Sequence, residues 1–259
     1  MLETNDLSVR FGGHLAVDRV CCRYRAGTLT AIVGPNGAGK TSYFNLISGQ
    51  LKATQGRVIL EGEDLSSLSA PMRARKGLGR AFQLTQLFPQ LSVAENVRLA
   101  VQARAQSCHS SPLAWMDLFS IWQDRKTWRD EADVLLNQVQ LATKAHLPAA
   151  SLSHGDQRKL EVALLMALEP KVYMFDEPTA GMSVDDVPVI LELIEQLKKQ
   201  TDRIILLVEH KMDVVYQLAD RIVVLHQGRL VADGEPLEVM DSAIVQQAYL
   251  GQSAGASLE

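Results

Sequence analysis

Cysteine is scarce in this chain. Cys21, Cys22 and Cys108 are three in 259 residues. The odd count and the lack of metal-ligand spacing exclude a disulfide framework or a zinc module, and suit reduced thiols in a cytosol. Cys21 and Cys22 fall in an expected strand, where consecutive side chains face opposite sides; both are read as structural. Long apolar runs are also missing: no stretch approaches the ~18 residues that span a bilayer, so any membrane passage is expected on other chains. The opening Met1-Leu2-Glu3-Thr4-Asn5-Asp6 is polar and acidic, and no signal peptide is expected. Excess positive charge is absent as well. The net charge of −4 and a pI near 5.9 argue against a nucleic-acid-binding surface. No internal repeat or low-complexity tract breaks the chain. What remains is 47% hydrophobic and 22% charged, the composition of a soluble globular protein. At 28.5 kDa it can bury a sizeable core, in one domain or two closely packed subdomains.

Residues 34–41 read Gly34-Pro35-Asn36-Gly37-Ala38-Gly39-Lys40-Thr41, followed by Ser42, which fits the phosphate-binding pattern G-x-x-x-x-G-K-[ST]. The β-branched, apolar run Leu29–Val33 before it reads as a buried strand. The run from Lys40 through Tyr43, Phe44, Leu46 and Ile47 reads as a helix. Glycines let the backbone curl so that its N–H groups point at phosphate oxygens, and the helix N-terminus adds partial positive charge there. Lys40 is expected to reach the β- and γ-phosphates of ATP, and the Thr41 hydroxyl to ligate Mg²⁺.

A second element complements the first. Val172-Tyr173-Met174-Phe175 is an apolar run followed by Asp176 and Glu177. A buried strand ending in acids delivers them to the crevice where α/β sheets bind ligands. Asp176 is expected to hold Mg²⁺ through water, and Glu177 to orient or deprotonate the attacking water.

Between these motifs lies Leu152-Ser153-His154-Gly155-Asp156-Gln157, followed by Leu160, Ala163, Leu164, Ala167 and Leu168 at helical spacing. It reads as a Ser N-cap opening a helix onto an anion. Here the chain resembles the ATPase subunit of an ABC transporter, whose signature is commonly Leu-Ser-Gly-Gly-Gln. The form with His154 and Asp156, followed by Gln157-Arg158 and Leu160-Glu161, resembles the branch of importers for branched-chain amino acids and related amides. The resemblance runs from Leu2 to about Gly251. It implies that Ser153, His154, Gly155, Asp156 and Gln157 contact ATP held on a second ABC ATPase subunit, identical or a sister chain. It also implies that Phe11 stacks on adenine, that Gln83 touches Mg²⁺ and senses the membrane subunit, and that His210 contacts the γ-phosphate. Catalysis is thus expected from Glu177, His210 and Lys40. The stretch Glu177–Ser183 resembles one that ends in Asp in many ABC subunits; Ser183 stands in that place here, with Asp185 two residues on.

The implied fold is α/β: a P-loop NTPase core with an N-terminal antiparallel β region and an inserted α-helical subdomain. A single domain is expected over 1–250, with 1–88 and 166–250 as nucleotide-binding core, 89–165 as helical subdomain and 251–259 as tail. Strands are expected at Leu7–Phe11, Ala16–Tyr24, Thr28–Val33, Gly56–Glu61 and Arg203–Glu209. A hairpin Ile222–Leu225/Arg229–Ala232 is expected around Gln227-Gly228, and helices at Val93–Ala105, capped by Ser92 with Glu95, and at Trp128–Leu141.

The implied function is to power an importer for branched-chain amino acids from the inner face of the membrane, with transmembrane permease subunits and, indirectly, a solute-binding protein. A urea or short-amide importer is the alternative, then lipid export. A non-transport ABC ATPase usually carries a coiled-coil insertion or tandem cassettes, absent here; a regulator without turnover predicts loss of the catalytic acid, yet Glu177 is present. Two features stay open. Trp115, Leu118, Phe119 and Trp122 share one helix face, either packing on the helical subdomain or serving as a docking face. Arg73, Arg75, Lys76 and Arg80 form either a solvated helix face or a patch near phospholipid headgroups.

Overall fold

The computed structural model describes residues 1–81, 87–107 and 126–247. Gln83, Cys108, the stripe Trp115/Leu118/Phe119/Trp122 and the tail from 251 lie outside them. The chain divides into two compact units. The first comprises Met1–Arg80, Lys171–Glu177 and the chain from Glu195 on; the second comprises Ala81–Pro170 and Pro178–Ile194.

In the first unit an antiparallel sheet has the order β2-β1-β4-β5, from β1 (Leu2–Phe11), β2 (His14–Tyr24), β4 (Gln55–Leu60) and β5 (Glu63–Asp64). β1 begins five residues before its apolar pattern does, because polar Thr4 is an inward residue: its hydroxyl meets the Tyr43 hydroxyl at 2.8 Å and accepts the Cys22 N–H at 3.1 Å. Cys21 is exposed and Cys22 buried, as strand alternation requires. A six-stranded sheet has the order β10-β9-β3-β8-β7-β6. Its strands are β3 (Thr28–Val33), β6 (Leu78–Ala81), β7 (Val172–Asp176), β8 (Ile204–Val208), β9 (Arg221–His226) and β10 (Arg229–Gly234). β3, β7 and β8 are fully buried but for Thr28, as strands covered on both faces must be.

Sheet alternation divides the core. Ile32, Val223 and Leu225 face a cluster with Tyr43, Phe44 and Ile47 of α1 (Lys40–Ser48). Ala31, Val33, Ile222 and Val224 face Val215 of α7 (Met212–Leu218) and Val239 of α8 (Pro236–Met240). The β9–β10 hairpin turns at Gln227 (φ 48°) and Gly228 (φ 78°), the paired positive φ values of a type I′ turn.

One helix has no counterpart in the apolar pattern: α2 (Ala70–Arg75), a single short stretch with Pro71 in its first turn. From it Arg73 reaches inward, donating to the carbonyls of Leu46 at 2.7 Å and Ile47 at 2.8 Å. Those are orphan acceptors at the C-terminal end of α1. Arg73 is buried, so it belongs neither to a solvated face nor to a membrane-facing patch. Lys76 is exposed and pairs with Glu63 at 2.6 Å.

In the second unit, α3 (Val93–Ser107), α4 (Lys126–Gln138) and α5 (His154–Leu168) pack on one another. Val93, Val97 and Val101 recur every fourth residue and are fully buried, as are Leu160, Ala163 and Ala167 of α5. Ser92 and Glu95 form the expected capping box: Ser92 Oγ accepts from Glu95 N at 3.2 Å, and Glu95 Oε2 accepts from Ser92 N at 2.8 Å. α6 (Val187–Lys198) follows later in the chain.

Candidate active site

Three parallel strands align the candidate residues of the first unit. Ile32 of β3 is in register with Val208 of β8, and Val208 with Asp176 of β7. The chain leaves these strands at Gly34, Glu209 and Glu177, so the glycine loop, Asp176–Glu177 and His210 emerge at one sheet edge.

Gly39 precedes α1 with φ 95°, and a Cβ there would lie 2.4 Å from the Ala16 carbonyl oxygen. Only glycine fits this turn. At Gly37, φ is 78° but nothing lies within 4 Å of a would-be Cβ; the backbone there faces open space. Asn36, Gly37 and Thr41 are exposed, Ser42 and Gly39 half-buried, and Pro35 and Ala38 buried. Lys40 is buried, and its Nζ donates to the Gly34 carbonyl at 2.6 Å and the Pro35 carbonyl at 3.0 Å. Burial holds its ammonium below the usual lysine range, against the opposing pull of Glu177 and Asp176. The amine thus rests on two weak acceptors that an anion can replace.

Glu177 has a left-handed backbone, φ 51°, an uncommon state for a residue with a long side chain. Its amide donates to the Val208 carbonyl at 2.9 Å. His210 Nε2 lies 2.7 Å from Glu177 Oε1; the carboxylate can only accept, so Nε2 donates. Phe11 ends β1 at 49% exposure, so its ring is not a core side chain.

Asp176 shows how the edge fits a divalent cation. Its Oδ1 is buried and has no hydrogen-bond partner, a costly state for an anionic oxygen unless something completes it. Among the described residues no three His, Cys, Asp or Glu side chains gather into a metal cage. One carboxylate oxygen beside a phosphate loop is the provision Mg²⁺ requires, since it takes few protein ligands and the rest from phosphate and water.

In the second unit, Ser153 is the N-cap of α5. Its Oγ accepts from Asp156 N at 3.2 Å and donates to Asp156 Oδ2 at 2.9 Å. Gln157 Nε2 donates to the Leu152 carbonyl at 3.2 Å. Ser153 and His154 are exposed, and Gly155 and Asp156 buried.

Comparison with known proteins decides the family. A sequence profile described as ABC transporter matches residues 17–180. The chain belongs to the ABC transporter family. It is 37% identical over 253 residues to the high-affinity branched-chain amino acid transport ATP-binding protein LivG of Salmonella typhimurium, across 98% of each chain. It is 36% identical over 256 residues to BraF of Pseudomonas aeruginosa, of the same description, again across 98% of each. A solved ATP-binding cassette of an ABC transporter in its ADP conformation superposes with a TM-score of 0.79 at 28% identity, covering 97% of this chain and 98% of that one. A nucleotide-free cassette gives 0.78 at 27%, covering 96% and 98%.

In this ABC ATPase Arg80, which the basic run groups with Arg73, Arg75 and Lys76, belongs instead to the edge that carries Asp176. Its Nη2 meets Asp176 Oδ2 at 2.5 Å, with the two side chains 6% and 0% exposed. Its Nη1 donates to Asn45 Oδ1 at 2.6 Å and Gln50 Oε1 at 2.8 Å, and the guanidinium lies 5.2 Å from the Phe44 ring centroid. Arg80 is therefore not part of a solvated or headgroup-facing cluster. It ties the last turn of α1 to the acid at the end of β7 and occupies Oδ2, so that Oδ1 is the free oxygen. No local pattern signals this, because the partners lie 96 residues apart. The departure at Ser183 also has a structural counterpart: Ser183 Oγ donates to Asp186 Oδ2 at 2.7 Å, while Asp185 is exposed.

Proposed function

We propose that this chain is the motor subunit of an importer for branched-chain amino acids, working as one of two ATPase subunits beneath transmembrane permease subunits. Near-full-length similarity to LivG and BraF carries the reading. No helix of the described residues is long and apolar enough to cross a membrane, which suits a subunit seated peripherally on the cytoplasmic face and fed by a solute-binding protein.

The reading gives each step of the reaction a residue. The amides of Asn36–Ser42 and the α1 N-terminus bind the phosphates. Lys40 exchanges the Gly34 and Pro35 carbonyls for the β- and γ-phosphates. Phe11 supports the adenine. Asp176 through Oδ1, the Thr41 hydroxyl and Gln83 would hold Mg²⁺, which would neutralise phosphate charge. Glu177 orients the attacking water and takes its proton, and His210 holds the Glu177 carboxylate and reaches the γ-phosphate. Residues 153–157 contribute to the nucleotide on the second subunit, so each site is made from two chains. Positioning and charge neutralisation supply the rate, as phosphoryl transfer needs little covalent chemistry from the protein.

The test is Glu177→Gln, alone and mixed with sister ATPase chains co-purified with the permease. It is expected to bind ATP, release no phosphate and accumulate a closed ATP-bound pair by size exclusion. Wild-type hydrolysis by this variant in the complete transporter would refute Glu177 as the base. Stimulation of wild-type turnover by a leucine-loaded binding protein, and not by a urea-loaded one, is the result expected for the substrate class.

A further inference from the structure

The loop 181–186 and the signature helix are keyed to each other within the second unit. Lys159 of α5 is buried, its side chain 7% exposed, and its ammonium forms an ion pair with Asp186 Oδ1. The same ammonium lies 3.9 Å from Asp156 Oδ1. Asp156 Oδ2 in turn pairs with Lys144 and accepts the Ser153 hydroxyl at 2.9 Å. Asp186 is fixed from its other side by Ser183, and these two partners hold its carboxyl below the usual aspartate range. The surfaces interlock as well as the charges. A Cβ on Gly155 would lie 2.7 Å from Asp186 Oδ2. Gly181, at φ 71°, lies under the His154 ring, with a would-be Cβ 3.2 Å from its Cδ2 and Nε2.

A continuous chain of contacts therefore runs Ser183–Asp186–Lys159–Asp156–Ser153. One ammonium is shared by two carboxylates, so moving Asp186 changes the field on Asp156, and through it the hydroxyl that caps α5. We infer that Lys159 and Asp186 are positioning residues for Ser153, and that this pair makes the signature's grip on the partner's nucleotide depend on the loop following the catalytic acid. The inference rests on the two-chain site proposed above. It also gives Ser183 a part: it orients Asp186, three residues on, and the acid at 186 bears on the signature of its own chain.

The experiment uses the full chain carrying Glu177→Gln, with its sister chain where the two pair, and reads the ATP concentration at which the closed pair forms. Asp186→Asn and Lys159→Gln are each expected to raise that concentration about tenfold, within the usual range for coupled neighbours. The double variant is expected to lose no more than the worse single, and Lys159→Arg to stay within about threefold of the parent. ATP binding by the separate chain is expected to be unchanged, which a general folding defect would not allow, while its melting temperature falls because each single variant leaves a buried or half-buried charge without its partner. Closure of Asp186→Asn and Lys159→Gln at the parent concentration overturns the inference. So does additive loss in the double variant, or loss of ATP binding by the separate chain. Failure of the Glu177→Gln parent to close at all, alone or mixed, overturns the two-chain reading and this inference with it.

Discussion

Replacing Arg80 by Met tests whether the acid at the end of β7 is held by a buried counter-charge. Arg80 and Asp176 are 6% and 0% exposed in their side chains, so water screens little of the pair. Removing the cation alone leaves a buried carboxylate with two unsatisfied oxygens, since Oδ1 already has no partner. Breaking a buried pair from one side costs about 3–5 kcal/mol. The acceptors on Asn45 and Gln50 and the Phe44 stack are lost with it, but they share the same side chain and do not add in full. At roughly 2–4 °C per kcal/mol for a chain of this size, the melting temperature of the nucleotide-free protein falls on the order of 10 °C. The double variant Arg80→Met/Asp176→Asn removes both charges and is expected to recover more than half of that loss, because neutral side chains do not carry the desolvation penalty. Thermal and urea unfolding followed by far-UV circular dichroism give both numbers. A loss below about 1 kcal/mol for Arg80→Met, the scale of a solvated pair, refutes the reasoning, as does a double variant no more stable than the single.

Lys40→Ala is expected to abolish useful ATP binding, because loop amides alone do not neutralise the β- and γ-phosphates; near-normal affinity by equilibrium titration would falsify the assignment. Ser153→Arg is expected to leave ATP binding to the separate chain intact while cutting turnover of the assembled transporter at least tenfold; equal turnover argues against a signature contact. Gly39→Ala and Gly37→Ala both put a Cβ on a left-handed residue, at a cost of about 1–2 kcal/mol each. Only the first also meets a backbone oxygen, at 2.4 Å. Melting temperatures should therefore order wild type, Gly37→Ala, Gly39→Ala, and a reversed order excludes this loop geometry.

What could be read in advance was local. The glycine loop between a β-branched strand and a helix, the apolar run ending in Asp176–Glu177 and the Ser-capped helix at 153 each carry their signal within about ten consecutive residues. What could not be read depends on pairing over distance. Arg73 and Arg80 look like members of one basic surface run, yet their burial depends on carbonyls of α1 and a carboxylate 96 residues away. The start of β1 was hidden because Thr4 breaks the apolar alternation and is satisfied by Tyr43, on a different element. Around Ser183 the sequence drew attention to Asp185, but the side chain that Lys159 and Ser183 hold is Asp186; two adjacent acids in a loop give no periodicity by which to choose between them.

The strand order has a consequence for synthesis. β3 enters the sheet between β8 and β9, whose residues are translated long after Thr28–Val33 leave the ribosome. At ~5–20 residues per second, the interval between β3 and β8, the first of the two neighbours to be made, is roughly 9–34 s. During that time Leu29, Ala31, Ile32 and Val33 have neither neighbour to pair with, although all four end fully buried. A nascent chain stopped before Ile204 thus presents an unpaired apolar strand to its surroundings. It is a natural client for chaperones and the stage at which this subunit is most exposed to aggregation.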